Sequence, residues 1–253
     1  MEEIINSQGY NMLFLQGAIG GHVDPSRGLS SDGLPLERRH DQEIRYGSEL
    51  GRIACAMTMT YDEIEHSTLV DFDEIERERA LSDSYTLWYE DWKAQKETRV
   101  ESYLNIRSSE LMVTLENPLI QAFGKLRLVP NIIINGNDGT TKTVTEISYM
   151  EMGQLKFVLE PGEMSPEIII GGESLTAEHS YSKKDFGFPT MNEIVSGELI
   201  VLGMANDAVG YIVPDNDYAM IVGFDHYEET LSFSSKFAST LVKEFQNIVH
   251  EVK

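Results

Sequence analysis

Three short segments carry the residue types from which a hydrolytic site can be built. They are Gly20-Gly21-His22-Val23-Asp24-Pro25, Glu160-Pro161-Gly162-Glu163 and Asn206-Asp207-Ala208-Val209-Gly210-Tyr211. Each follows an apolar stretch, and each sets an oxygen or nitrogen ligand at a tight turn. Loops at strand ends are favoured places for function, because the sheet fixes the loop and the loop supplies the groups. A histidine, a carboxylate and a tyrosine converging there can bind zinc and polarise a carbonyl. Taken singly, each segment also has a plainer reading. A Gly-Gly pair makes a turn, and Pro161-Gly162-Glu163 can start a helix with its acid at the positive end of the dipole. Tyr211 can equally be a half-buried packing aromatic.

The elements that must position these groups are read from periodicity and turn chemistry. Met12-Leu13-Phe14-Leu15 predicts a buried strand running into the glycine-rich turn, followed by a loop over 26–36. Helical spacing of Ile44, Leu50, Ile53, Ala54 and Met57 predicts a helix within 36–60, in which Gly47 and Gly51 allow close packing. Alternation over 66–75 predicts a strand. The acidic, aromatic stretch 76–116, with Tyr85, Trp88, Tyr89, Trp92 and Tyr103, predicts one or two surface helices. Their aromatics either pack on the sheet or form a lid or apolar groove.

Strands are predicted over 126–134 and 143–150, joined by Asn135-Gly136-Asn137-Asp138-Gly139, a strong hairpin signal. A strand over 155–159 ends at the Pro-Gly turn, and a helix is predicted to begin within 164–171. A further strand covers 198–203. Phe233, Phe237, Leu241, Phe245 and Val249 recur every four residues and predict a C-terminal amphipathic helix. Strands alternating with helices give α/β or α+β architecture, a mixed sheet with flanking helices and loops at strand ends.

Composition narrows the chemistry. The chain has 253 residues with 20 Lys+Arg against 42 Asp+Glu, a net charge of −22. Nucleic-acid binding needs clustered cations that displace counterions, so that class of partner is excluded, as is a polybasic membrane anchor. A single cysteine, Cys55, excludes an internal disulfide and every cysteine-rich zinc motif. No basic segment leads into an apolar stretch at Met1, and no apolar run approaches the roughly 20 residues that cross a bilayer. As the sequence stands, the expected compartment is the cytoplasm.

Taken in order, the segments resemble the neutral (alkaline, non-lysosomal) ceramidase family. Phe14-Leu15-Gln16-Gly17-Ala18 through Gly21-His22-Val23-Asp24-Pro25 is similar to the family's strand and Gly-Asp-Val-Ser-Pro loop. Tyr46-Gly47 to Cys55 is similar to its following glycine-containing helix, and Pro161-Gly162-Glu163 to its Pro-Gly-Glu. Ala205-Asn206 to Gly210-Tyr211 resembles its Asn-x-x-x-Gly-Tyr, and His226-Tyr227-Glu228 its later Tyr-Glu element. No one motif is specific. The resemblance lies in five of them in order over about 220 residues.

That resemblance implies a zinc-dependent hydrolase that cleaves the amide of N-acyl sphingoid lipids, amphipathic small molecules. In the family, zinc sits on two His, a Glu and a Tyr, and zinc-bound water attacks. Position by position, Glu163 matches the ligand Glu, Tyr211 the ligand Tyr, and Tyr227 a second tyrosine that stabilises the oxyanion. Zinc lowers the pKa of water toward ~7, and a phenol donates to the developing oxyanion.

Two departures stand out. Asp24 occupies the place of the family's active-site Ser, and His22 that of the Asp before it. An aspartate donates no hydroxyl proton at neutral pH, but it can bind metal or orient water. His22 and Asp24 therefore join Tyr227 as candidate catalytic residues. The family's zinc-ligand histidines lie upstream of the serine loop, and His40, His66, His179, His226 and His250 match none of them.

The expectation is that 1–253 is the later part of a larger catalytic domain, with an upstream half or partner subunit supplying the histidines. The protein would be secreted if that half carries a signal. A catalytically silent binding module, or a metal hydrolase acting on another amide or ester, are the alternatives.

Overall fold

The structure, a computed structural model, describes residues 5, 6, 9, 14–20, 47, 50, 51, 54, 100–126, 128, 133–136, 139–219 and 227–251. The chain divides into two compact units, Met1–Phe14 with Asp24–Arg99, and Leu15–Val23 with Val100–Lys253. In the first, Gly47, Leu50, Gly51 and Ala54 are helical, at positions where a helix is predicted. The strand predicted over 66–75 and the aromatic stretch over 76–99 lie outside the described residues.

The second unit is a mixed α/β assembly. Its first strand, β1 (Leu104–Thr114), overturns the helix predicted to run to 116. The helical aromatic spacing ends at Tyr103. Beyond it the residues pair one for one with a long antiparallel partner, Leu104 opposite Met152 through Thr114 opposite Lys142. Such a ladder outweighs local propensity. Leu111 and Val113 turn inward, while Leu104, Ile106 and Met112 face outward.

Helix α1 (Pro118–Lys125) stands just before the strand predicted over 126–134, and of that strand Ile133 and Ile134 fall in a short β2 (Ile133–Asn135) while Leu126 and Leu128 are irregular. The helix has a local cause. Asn117 caps the helix, its side chain accepting from the Leu119 and Ile120 N–H groups, and Pro118 follows at the position where a missing N–H costs nothing. The hairpin is where turn chemistry placed it, with β2 antiparallel to β3 (Thr141–Met152).

β3 turns through Gly153-Gln154 into β4 (Leu155–Leu159). After β5 (Glu163–Met164) come two short helices, α2 (Pro166–Ile170) and α3 (Met191–Val195). β6 (Ile200–Leu202) runs parallel to β4, giving the sheet order β1-β3-β4-β6 with β2 also on β3. β7 (Tyr211–Ile212) pairs with β5 in a separate two-stranded parallel sheet. The short α4 (Tyr227–Thr230) and the long α5 (Phe237–His250) complete the unit.

The four-residue repeat places Phe237, Leu241 and Phe245 on one buried face of α5, in one core with Leu111, Val113, Ile147 and Tyr149 of the sheet. Tyr149 and Phe245 meet edge to face at 5.8 Å. Each such side chain contributes roughly 1.5–3 kcal/mol by leaving water.

The buried strand predicted at 12–15 does not hold for its described residues. Phe14 and Leu15 are 62% and 44% exposed, and 14–20 is irregular. The segment is instead held by two backbone bonds described below. No helix among the described residues is long and apolar enough to cross a membrane.

Candidate functional site

The site is built where β4 ends. The chain turns through Glu160-Pro161-Gly162 into β5 with backbone bonds on both sides. Toward the later strands, Glu160 N–H donates to Leu202 O at 3.1 Å and Glu163 N–H to Gly210 O at 2.9 Å. In return, Ala205 N–H donates to Glu160 O at 2.9 Å and Val209 N–H to Pro161 O at 3.0 Å. Toward the early segment, Gly20 N–H donates to Met164 O at 2.9 Å, and Gln16 O accepts from Gly203 N–H at 2.7 Å.

Two glycines make this stacking possible. A Cβ on Gly162 would lie 2.4 Å from Gly210 O. Gly210 itself has φ 79°, and its Cβ would lie 2.2 Å from Leu231 O. Only glycine combines that left-handed backbone with such an approach. The consequence is that the end of α4 rests against the start of β7.

Three side chains converge on this frame. In the parallel β5–β7 pair, Glu163 is in register with Tyr211. The Tyr211 hydroxyl donates to the Tyr227 hydroxyl at 3.5 Å, and the two rings meet edge to face at 5.4 Å and 85°. The Tyr211 hydroxyl is held well above the ordinary phenol range. Burial is the main cause, followed by hydrogen bonds with Tyr227 and Glu163 and the charge of Glu163. It therefore stays protonated and a donor through the neutral range. Tyr227, on α4, is 42% exposed and presents its phenol to solvent.

Asn117 holds α4 in place. Besides capping α1, its Nδ2 donates to Thr230 O at 2.6 Å, Ser232 O at 3.1 Å and Glu229 O at 3.4 Å. The Tyr218 hydroxyl also donates to Glu229 O, at 3.3 Å. One buried side chain thus links the start of one helix to the helix that carries Tyr227.

A cleft of about 660 Å³ lies alongside. Ser165, Val213 and Glu228, within two residues of Glu163, Tyr211 and Tyr227, line it. Farther along are Glu167, His179 and Lys183, so both signs of charge border the space. His179 faces Glu173 at 3.8 Å.

Glu163, Tyr211 and Tyr227, singled out from the sequence, are brought together. The helix-start reading of Glu163 is displaced, because Ser165 is the N-cap of α2 and Glu167 is the acid of its first turn. His22 and Asp24 lie outside the described residues, as do His40, His66 and His226. The Asn206–Tyr211 motif divides its labour. Asn206 Nδ2 donates to Ser148 Oγ at 2.8 Å, and Asp207 Oδ2 accepts from Thr145 Oγ1 at 3.1 Å. Those two residues tie the loop to β3, and Tyr211 alone faces the cluster.

Sequence reading missed Glu160, Asn117 and the cleft residue His179. Only Asn117 had a usable local signal, the Asn-Pro pair that opens a helix. As a metal centre, the cluster offers two oxygen donors, Glu163 and Tyr211. Among the described residues no group of three His, Cys, Asp or Glu side chains is placed to hold a metal ion. Zinc takes at least three protein ligands, so the described donors fit half of a tetrahedral set.

No protein-family model matches the chain, and no curated protein matches it in sequence. Among solved structures it is distantly similar to the neutral ceramidase from Pseudomonas aeruginosa, with TM-score 0.39 and 15% identity. The match covers 74% of this chain and 34% of that one, so the chain spans about a third of that protein's length.

Proposed function

We propose that the chain is a ceramidase-like zinc hydrolase that cleaves the amide of an N-acyl sphingoid lipid. The observation that carries the reading is the convergence of Glu163, Tyr211 and Tyr227 beside an open cleft. These are the three residues that the sequence resemblance assigns to the ligand Glu, the ligand Tyr and the oxyanion Tyr.

Each group has a task it can perform. Glu163 and Tyr211 would hold the metal, and zinc when bound lowers the pKa of water and polarises a carbonyl. Because the Tyr227 oxygen accepts from Tyr211, its own proton is free to point at a substrate oxygen. A phenol so placed stabilises a developing oxyanion. In this reading His22 supplies a further nitrogen donor and Asp24 binds metal or orients water.

The test is zinc stoichiometry and affinity of the purified chain, followed by hydrolysis of a fluorescent ceramide beside short amides and simple esters. One zinc per chain and preference for the ceramide are expected. No zinc binding by the wild type overturns the metal assignment, and equal turnover of simple esters overturns the lipid assignment. Asp24 in the family's serine position favours one other reading, a lipid-binding chain without turnover, in which ceramide binds but is not cleaved.

A further inference from the structure

Resting on that reading, we propose that Glu160 is a positioning residue whose carboxyl anchors the Pro161–Met164 turn and sets the direction from which Glu163 meets Tyr211. Its side chain is fully buried at the end of β4. Oε2 accepts from the Gly162 N–H at 3.1 Å. That amide lies one residue before Glu163, so the carboxyl fixes the turn from which Glu163 departs. Oε1 has no hydrogen-bond partner among the described residues. It lies against Gly203, where an added Cβ would come within 3.0 Å of it.

Stability does not account for a carboxyl here. A buried polar atom without a partner costs desolvation energy that an apolar side chain of similar shape avoids. Burial also pushes the carboxyl up to about 8, with the nearby Glu163 charge acting in the same direction against the backbone N–H groups of Gly162 and Met164. The bond to Gly162 is what a carboxyl provides and a hydrocarbon does not. Groups that orient a metal ligand from behind typically alter metal affinity by about 10–100-fold when removed.

The experiment compares the full-length chain with Glu160→Gln, Glu160→Met and Glu163→Gln. Amide hydrogen exchange at Gly162 is read with zinc affinity and thermal melting. Glu160→Met is expected to raise exchange at that amide at least tenfold and to weaken zinc about as much as Glu163→Gln, with an unchanged or higher melting temperature. Glu160→Gln keeps an acceptor oxygen and is expected to restore protection and to weaken zinc less than threefold.

Unchanged exchange in Glu160→Met overturns the proposal, as does loss of zinc in the Gln variant equal to that in the Met variant. Should Glu160→Met not fold, the Gln variant decides alone: a protected Gly162 amide with near-normal affinity supports the anchor, and an exposed one overturns it. If the wild type binds no zinc, the functional reading fails, and amide exchange still judges the anchor by itself.

Discussion

Glu163 and Tyr211 stand opposite one another on two parallel strands that are each only two residues long. So small a ladder holds little pairing energy of its own. Its register is held by the bonds at its two ends, Glu163 N–H on Gly210 O and Ser165 N–H on Ile212 O. Met164 and Ile212, both fully buried, fasten the opposite side to the core. The alternation of a strand then directs Glu163 and Tyr211 away from that core.

Tyr227→Phe removes the free phenol proton and little packing. Ceramide turnover is expected to fall by about 10²-fold in kcat, the order found for loss of one oxyanion donor, with little change in KM. Zinc content of the same preparation should stay at the wild-type level, which separates the donor role from metal binding.

Gly210→Ala places a methyl group 2.2 Å from Leu231 O on a backbone at φ 79°. The left-handed conformation alone costs roughly 1–2 kcal/mol for a residue with a Cβ, and relief of the overlap adds to it. Urea unfolding is expected to show a loss of about 2 kcal/mol or more. A neutral substitution would mean that α4 and β7 are not in contact at this point.

Asn117→Ala removes an N-cap and the bonds to three carbonyls near α4. Loss of a cap costs about 1 kcal/mol, and buried carbonyls left without donors add roughly 1–3 kcal/mol. The expected loss is about 2–3 kcal/mol by urea titration. Exchange should rise in α1 and α4 together, although the two helices are far apart in sequence.

Glu160 gives stability a definite pH dependence. Its carboxyl is pushed up to about 8 in the folded chain from an ordinary value of 4.5, chiefly by burial. A raised carboxyl means that the folded state binds the proton more tightly than the unfolded one. Its contribution is therefore full below about pH 4.5, falls as the pH rises toward 8, and is level above that. At about 1.36 kcal/mol per unit the whole change is at most about 5 kcal/mol. Urea unfolding of wild type and Glu160→Gln at pH 5.5, 7 and 8.5 should show the difference between them shifting in favour of the variant as the pH rises.

What was legible depended on how local the cause is. The repeat of Phe237, Leu241 and Phe245 states its helix within a few turns, and Asn135-Gly136 states its hairpin within a few residues. β1 was misread because its identity comes from β3, well downstream, and not from its own spacing. α1 lies between two predicted elements, and its start is stated locally by the cap at Asn117 and by Pro118. Of the site, residue types and motif order pointed to Glu163, Tyr211 and Tyr227. Nothing local marks Glu160, since an acid before Pro-Gly ordinarily sits in water. Its burial is produced by backbone segments around positions 17 and 203 closing over it.

The bond from Gly20 N–H to Met164 O has a consequence for how the molecule assembles. It joins distant parts of the chain, and the β5–β7 pair and the Tyr211–Tyr227 contact add two further closures. Each such closure must meet its loop entropy before any contact repays it. The hairpin of β3 and β4 needs no such search and is free to form early. Cluster geometry should therefore be the last part of the unit to mature during refolding. A functional signal that lags behind the recovery of helix and sheet would be the kinetic mark of that order.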